Sequence, residues 1–398
     1  MVPRIEAMGK LAKSVDKQVI KVITGIRRCG KSTLLEMFRD QLLAGDVSGD
    51  QVTFLNFESL ENRHLKNHLA LHDHVVSCLK PDRMNYVFLD EIQQVPDFQL
   101  AVDSLFLRKN VDLYLTGSNA NLLSGELATL LSGRYLEIGL LPFSFKEYLT
   151  SRGGDRSDLN RKYADYVTHG SFPFIRELDQ NSDLVRDYLE GLYHTVIVKD
   201  VLTRRKIADV MMLQSVVRFM FDNVGNLCST KKISDSLTSA GRTISTHTVE
   251  TYLDALKESF VLYQAKRFDI KGKQHLKTLD KYYAVDVGLR NHVVGNRGTD
   301  VGRLLENVVY LELIRRGYDV AIGKVGDLEV DFVATKPDRL EYYQVAASVR
   351  DPGTLARELA SLRKIPDHHP KTVLTLDEDP PGDHDGIRTL NALDFLLS

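Results

Sequence analysis

The sequence has few cysteines, no long apolar run and almost no net charge. Three cysteines at wide spacing in 398 residues leave no disulfide framework and no zinc-ligand pattern. That usage suits a reducing cytosol, and a cytoplasmic location is expected. No run approaches the ~18 consecutive apolar residues of a membrane span, so no membrane partner is expected. The opening residues, Met1-Val2-Pro3-Arg4-Ile5-Glu6, lack the apolar core of a secretory signal. A formal net charge of −2 gives the whole chain no pull toward nucleic acid, so any basic surface must be local. Repeats and low-complexity tracts are missing too. The one loose stretch, residues 377–385, is rich in acid, proline and glycine and reads as a surface loop.

What is present is a globular composition, 43% hydrophobic and 27% charged. The length exceeds one ordinary core, which predicts two or three domains. Residues 18–24 are β-branched and apolar, as in a buried strand. They lead into Gly25-Ile26-Arg27-Arg28-Cys29-Gly30-Lys31-Ser32, the pattern G-x-x-x-x-G-K-S. Thr33 and the residues after it place Leu34, Leu35, Phe38 and Leu42 at helical spacing. Strand, glycine loop and helix are the context in which this pattern binds a nucleotide. The loop directs backbone N–H groups at phosphate oxygens, and the helix adds the positive end of its dipole. Lys31 would reach the β and γ phosphates and Ser32 would offer its hydroxyl to Mg²⁺. Residues 25–33 are therefore the candidate ATP-binding loop, with ATP and Mg²⁺ as cofactors.

Tyr86-Val87-Phe88-Leu89-Asp90-Glu91 is an apolar strand ending in two acids. Paired acids after a strand also occur in solvated turns. Behind a phosphate loop they fit metal and base: Asp90 would hold Mg²⁺, and Glu91 would polarise the attacking water. A third strand, residues 111–117, ends at Ser118-Asn119. Either residue would contact the γ-phosphate or the water, the alternative being a turn cap.

Ile-Thr-Gly-x-Arg-Arg-x-Gly-Lys-Ser, Leu-Asp-Glu-Ile-Gln, Thr-Gly-Ser-Asn-Ala, Leu-Leu-Ser-Gly-Arg134-Tyr and Leu-Pro-Phe-Ser-Phe-Lys-Glu-Tyr are linked along this half of the chain. Further on stand Gly170-Ser171-Phe172-Pro173, Val198-Lys199-Asp200-Val201, Asp286-Val287-Gly288-Leu289-Arg290 and Leu305-Glu306-Asn307. With these motifs the sequence resembles the bacterial and archaeal AAA-type P-loop ATPases that carry a C-terminal domain of unknown function. The resemblance implies an AAA-like core and makes Arg134 a candidate arginine finger. Arg134 follows a helix expected over 120–131, from which it would stabilise charge on a neighbour's ATP. A structural arginine paired with an acid is the alternative. A finger acting between subunits implies an oligomer, a closed ring being the natural geometry and a hexamer the leading expectation. Residues 170–173 are expected to pack near the adenine. Lys199, Arg204 and Arg205 are cations that would sense nucleotide or remain solvated.

Residues 229–239 read as a short helix, 241–244 as a turn and 245–259 as a second helix with Ser245 as cap. A strand over 260–268, a basic loop and a returning strand at 282–285 complete a winged-helix pattern. Residues 227–283 contain ten Lys/Arg against six acids, an excess of four positive charges. That favours phosphate contacts, with Lys231, Lys232, Arg242, Thr246, His247, Lys271 and Lys273 as candidate DNA contacts. No arginine fork faces guanine, so sequence readout is expected to be weak. Winged helices also bind proteins.

A helix over 302–316, three strands (318–324, 329–336, 340–347), a helix (352–364) and a strand (371–376) give an αβββαβ order that resembles the restriction-endonuclease fold. Glu306, Asp331 and Gln344 match its metal-holding positions. The lysine position is Ala346, so a vestigial site is expected rather than a cutter. His72 and His74, like His368 and His369, lack companion ligands and read as solvated.

The predicted architecture is α/β: an AAA-like P-loop ATPase core with a parallel sheet (1–140), a helical lid (141–226), a winged-helix domain (227–301) and a restriction-endonuclease-like domain (302–398). The leading function is an oligomeric, DNA-stimulated ATPase that remodels or moves on DNA. An ATP-gated regulatory switch acting on protein partners and an ATP-licensed metal nuclease are the alternatives.

Overall fold

The computed structural model describes residues 2–119, 133–178, 181–202, 207, 209–275, 279–296 and 298–398. The chain forms two compact units: residues 1–141 with 258–260, and residues 142–257 with 261–398. The helix expected over 120–131, together with Arg204, Arg205 and Lys277, lies outside the described residues, as does the Lys199 side chain.

The first unit is a five-stranded sheet in the order β2-β3-β4-β1-β5, parallel throughout. Its strands are β1 (Ile20–Thr24), β2 (Val52–Asn56), β3 (Asn85–Asp90), β4 (Val111–Gly117) and β5 (Tyr135–Gly139). Helices α1 (Ile5–Lys13), α2 (Lys31–Leu43), α3 (His68–Cys78) and α4 (Phe98–Phe106) accompany it. β1, β3 and β4 are buried along their whole length. A parallel sheet covered on both faces requires such unbroken apolar runs. Two charged residues interrupt them in mid-strand and satisfy each other: Lys21 of β1 pairs with Asp112 of β4, and Tyr114 donates to the same carboxylate at 2.8 Å. Parallel strands align their C-terminal ends, so the residues after β1, β3 and β4 meet at one edge. Ligands bind at that edge in open α/β sheets.

The second unit begins with helices α5 (Phe145–Ser151), α6 (Leu159–His169) and α7 (Ser182–Leu192), followed by a π-helix (Tyr193–Asp200) and α8 (Val210–Asp222). Then come α9 (Thr230–Ser239) and α10 (Thr246–Glu258), joined by a short turn that Ser234 fastens by donating to the Ile244 carbonyl at 2.6 Å. Ser229 and Ser245 cap the two helices, each accepting a backbone N–H at 3.1 Å.

Here the strand expected over 260–268 departs from expectation. It breaks at the exposed Lys266 into β6 (Leu262–Ala265) and β7 (Arg267–Asp269). β6 pairs with β9 (Lys281–Ala284) as a two-stranded hairpin. β7 leaves that hairpin and lies parallel to β10 (Asp319–Val325), with β8 (Gln274–His275) outside it.

Helices α11 (Val287–Val294) and α12 (Val301–Arg315) lead into a large mixed sheet. Its order is β14-β15-β13-β12-β11-β10-β7-β8, with β11 (Leu328–Lys336), β12 (Arg339–Ala346), β13 (Lys371–Thr375), β14 (Gly382–His384) and β15 (Ile387–Asn391). Helices α13 (Pro352–Arg363) and α14 (Ala392–Leu397) complete the unit. β10, β11 and β12 are antiparallel and β13 is parallel to β12, so the expected αβββαβ order is present. The expected boundaries at 226/227 and 301/302 fall inside this one unit. The stretch 377–385 is more than a loop: it contains β14, and Asp377 is buried, accepting from the Val349 N–H at 2.7 Å. Among the described residues no helix is long and apolar enough to cross a membrane.

Candidate active site

The glycine loop turns from the end of β1 to the start of α2. A Cβ on Gly25, whose φ is 149°, would stand 2.1 Å from the Leu140 carbonyl oxygen, so no larger residue fits. Gly30 caps α2 in the left-handed region at φ 100°. The side chains of Ile26 and Cys29 are buried, and Arg4 ties the loop down by donating to the carbonyls of Cys29 and Leu141. Burial pushes the Cys29 thiol above its ordinary range, so it stays protonated. Within the loop, Arg27 pairs with Glu58 at 2.9 Å and Arg28 is exposed, as is Thr33 in the first turn of α2. Lys31 is buried. Its Nζ donates to the carbonyls of Gly25 (3.1 Å) and Ile26 (3.2 Å) and lies 3.5 Å from Glu91 Oε1. The ammonium thus lies under the loop, on carbonyls it can release for a phosphate.

Asp90 ends β3 fully buried. Burial raises its carboxyl pKa, while hydrogen bonds from Thr116 and Ser32 oppose that rise. Oδ1 takes the Thr116 hydroxyl at 2.5 Å. Oδ2 is buried with no hydrogen-bond partner among the described residues. The unpartnered Oδ2, with the Ser32 hydroxyl that reaches the same carboxylate, makes an all-oxygen donor set, which suits a hard divalent cation such as Mg²⁺. Ser32 and Asp90 are the residues that would hold it.

Glu91 follows in a left-handed conformation, φ 53°. Its N–H donates to the Thr116 hydroxyl at 2.9 Å. One Thr116 side chain on β4 therefore fixes both acids. Glu91 Oε2 accepts from Gln93 Nε2, which lies 3.4 Å from Ser118 Oγ. Ser118 is thereby joined to the candidate base through Gln93, and Asn119 follows at the same edge of the sheet. Thr116 and Gln93 were not among the expected site residues. Their only sequence signal is that each is polar and falls within two or three residues of an identified acid or sensor position.

Arg134 lies at the other edge. β5 runs parallel to β1 and the Ile20 N–H donates to the Arg134 carbonyl at 2.9 Å, so Arg134 precedes its strand while the phosphate loop follows β1. Five strand residues, roughly 13–16 Å, intervene. The guanidinium is half exposed, 3.6 Å from Asp103 and stacked over Phe106. It therefore starts about one strand length from the phosphate loop of the same chain.

The candidate DNA residues separate. Lys231, Lys232, Thr246, His247, Lys271 and Lys273 are exposed. Lys271 and Lys273 follow β7, so they extend from the edge of the large sheet rather than from the β6–β9 hairpin. Arg242 lines a groove of about 390 Å³ with Glu190, Tyr193, Arg218 and His292. Lys281 is withdrawn from any phosphate-binding surface because it is buried among acids.

Those acids are the expected vestigial site. Lys281 Nζ lies 2.9 Å from Glu306, 2.8 Å from Glu329 and 3.7 Å from Asp331. Tyr283 donates to Glu306 at 2.7 Å, and Gln344 accepts from the Asp331 N–H at 2.9 Å and donates to Glu358 at 2.9 Å. Glu306, Asp331 and Gln344 do cluster as expected. The lysine missing at 346 is answered by one from β9, a contact 65 residues away in sequence that no local spacing signals. Burial alone would lower the Lys281 pKa, but Glu306, Asp331 and Glu329 outweigh it and hold the ammonium charged. Burial and Glu306 push Asp331 up to about 8. An ammonium at the centre makes this a self-compensating ion cluster. Among the described residues no group of three or more His, Cys, Asp or Glu is arranged to hold a metal ion.

The motif at 170–173, expected to pack near the adenine, meets Asp286 at the start of α11. Ser171 donates through both N–H and hydroxyl to Asp286 at 2.6 Å, and Asp286 also caps α11 through the Leu289 N–H at 2.7 Å. A Cβ on Gly170 would meet Asp286 at 2.5 Å, and one on Gly288 would meet Gly170 N at 2.2 Å. Two glycines at a backbone crossing and one buried acid lock α6 to α11.

Residues 17–149 match a family model described as an AAA domain, and residues 160–300 match one described as a Domain of unknown function (DUF8612). An "Uncharacterized protein" of Haemophilus influenzae is 39% identical over 400 residues, covering 100% of this chain and 99% of the relative. "Uncharacterized protein MJ1544" of Methanocaldococcus jannaschii is 28% identical over 351 residues, covering 82% of this chain and 76% of its own. Among solved structures, the Walker-type ATPase PABY2304 of Pyrococcus abyssi superposes with a TM-score of 0.51 at 17% identity, over 74% of this chain and 96% of that one. At that identity the likeness is one of fold, a P-loop ATPase fold. Identity carried along the whole length of the Haemophilus relative, over an AAA domain followed by a domain of unknown function, places the chain in the bacterial and archaeal family of AAA-type P-loop ATPases with a C-terminal domain of unknown function.

Proposed function

We propose that the chain hydrolyses ATP·Mg²⁺ at the edge formed by β1, β3 and β4, and that an oligomer couples this turnover to work on DNA. The observation that carries the proposal is the convergence of Lys31, Asp90, Thr116 and Glu91 there. Lys31 would exchange the Gly25 and Ile26 carbonyls for the β and γ phosphates, with the loop N–H groups and the α2 dipole sharing their charge. Ser32 and Asp90 would hold the cation, whose charge offsets that of the phosphates. Glu91, released from Lys31, would accept a proton from the attacking water, with Ser118 and Asn119 at the γ-phosphate side. The position of Arg134, about one strand length from its own loop, favours service to a neighbouring subunit, hence an oligomer.

The DNA part rests on the exposed cations of α9 and of the turn after β7, and on the start of α10. Lys231, Lys232, Lys271 and Lys273 supply phosphate contacts, and Thr246 and His247 stand at the start of the second helix. Without an arginine fork these contacts favour structure-directed rather than sequence-directed binding. The test is steady-state ATP hydrolysis for wild type, Lys31→Ala and Glu91→Gln, together with a DNA-binding gel at two salt concentrations. Lys31→Ala should lose ATP binding. Glu91→Gln should keep binding and lose turnover. DNA binding that is absent at low salt would overturn the DNA part alone.

A further inference from the structure

Glu91 has two carboxylate oxygens in different surroundings. Oε1 faces Lys31 Nζ at 3.5 Å, and Oε2 takes a hydrogen bond from Gln93 Nε2. The two side chains are brought together because Glu91 turns at φ 53° into the 3₁₀-helix Ile92–Gln94, which puts residue 93 back beside residue 91. The same Nε2 lies 3.4 Å from Ser118 Oγ, so the carboxamide is held from β3 and from β4. The remaining atom of that group, Gln93 Oε1, is buried and accepts no hydrogen bond among the described residues. A buried acceptor left without a donor keeps the full cost of its lost hydration. Reversing the amide offers no relief, since it would set oxygen against the Glu91 carboxylate.

We infer that Gln93 positions the attacking water together with Glu91, a role that rests on the proposed hydrolysis at this site. A water poised for attack has two protons to place. When Lys31 moves to the phosphates, Glu91 Oε1 becomes the free acceptor, while Gln93 keeps Oε2 fixed and so keeps the carboxylate from swinging after the lysine. Glu91 Oε1 takes the proton that will be transferred. Gln93 Oε1 takes the proton that the oxygen retains. The water's lone pair is then left for phosphorus. In the step itself the water oxygen forms a bond to the γ-phosphorus as the bond to the β–γ bridging oxygen breaks. The electron pair departs with ADP, the transferred proton rests on Glu91, and inorganic phosphate carries the oxygen away. Gln93 exchanges no proton; it is a positioning residue.

The experiment compares wild type, Gln93→Ala and Gln93→Glu in one series: kcat for ATP, equilibrium ATP affinity and melting temperature. Loss of orientation at a reacting water costs on the order of 100-fold, so Gln93→Ala should lower kcat by about that factor while ATP affinity and melting temperature stay near wild type. Gln93→Glu keeps an acceptor but loses the donor and sets a like charge against Glu91, so its kcat should fall as well. A Gln93→Ala kcat equal to wild type overturns the inference. So does a kcat that falls only in step with affinity and melting temperature, the mark of a structural role. A wild-type chain with no turnover would sink the proposed hydrolysis itself, and with it this role. Turnover in wild type together with an unimpaired Gln93→Ala overturns this role alone.

Discussion

Thr116 on β4 donates its hydroxyl proton to Asp90 on β3 at 2.5 Å, and the same oxygen accepts the Glu91 N–H. Thr116→Val keeps the shape and removes both bonds, leaving a buried carboxylate and a buried N–H short of a partner. The expected loss is about 1–3 kcal/mol of stability, read by urea unfolding, with a fall in ATP turnover. Thr116→Ser should restore both. A Thr116→Val chain with unchanged stability and turnover would show that the strand neighbours fix the acids unaided.

Gly170 and Gly288 make the α6–α11 crossing, and Gly154 offers the control. All that opposes a side chain at Gly154 is its φ of 75°, since nothing stands within 4 Å of a Cβ there. Gly154→Ala should cost about 1 kcal/mol. Gly170→Ala adds a 2.5 Å clash with Asp286 to a similar φ of 87°, and should cost about 2–4 kcal/mol in all. Thermal unfolding of the three chains separates strain from collision. Equal losses for Gly154→Ala and Gly170→Ala would contradict the lock.

Lys281 pairs with Glu306, Glu329 and Asp331 at once. Lys281→Met should destabilise the chain by about 3–5 kcal/mol, because it leaves buried carboxylates uncompensated. The same cluster predicts a pH dependence. Asp331 is pushed up to about 8 in the folded chain, against about 3.9 unfolded. The folded state therefore binds the proton more tightly. The stability Asp331 contributes is fully present below its unfolded pKa and is lost as pH rises toward 8. Unfolding free energy measured from pH 5 to 8 should fall less steeply in Asp331→Asn than in wild type. Identical slopes would rule out a raised Asp331.

Arg134 and Lys31 occupy opposite edges of one sheet, which a mixing experiment exploits. Arg134→Ala and Lys31→Ala should each be inactive alone. Mixed, they should recover part of the turnover, because an intact arginine then meets an intact phosphate loop across a subunit boundary. Full activity of Arg134→Ala alone would confine this residue to its pair with Asp103.

The nucleotide half of the protein was legible because its chemistry is local. Gly25, Gly30, Lys31 and Ser32 lie within eight residues, Asp90 and Glu91 are adjacent, and a covered parallel strand has to be apolar throughout. The helix pair α9–α10 was legible for a similar reason, with Ser245 standing as a local cap. What stayed hidden depends on partners distant in sequence. Nothing around Lys281 announces Glu306 or Asp331. Gly170-Ser171 shows no sign of Asp286 until α6 and α11 cross. The departure of β7 from its hairpin is decided by the open edge of β10, which gives Arg267–Asp269 a second place to pair. Thr116 and Gln93 were within sight, but a threonine inside a buried strand and a glutamine after two acids gain their roles only once β3 and β4 are neighbours.

The most direct measurement is the steady-state rate of ATP hydrolysis by wild type and Glu91→Gln, with Mg²⁺, in the absence of DNA and in the presence of duplex, forked and junction DNA. Wild type should hydrolyse ATP faster with at least one DNA structure, and Glu91→Gln should be inactive under every condition. Hydrolysis by Glu91→Gln at the wild-type rate would contradict it.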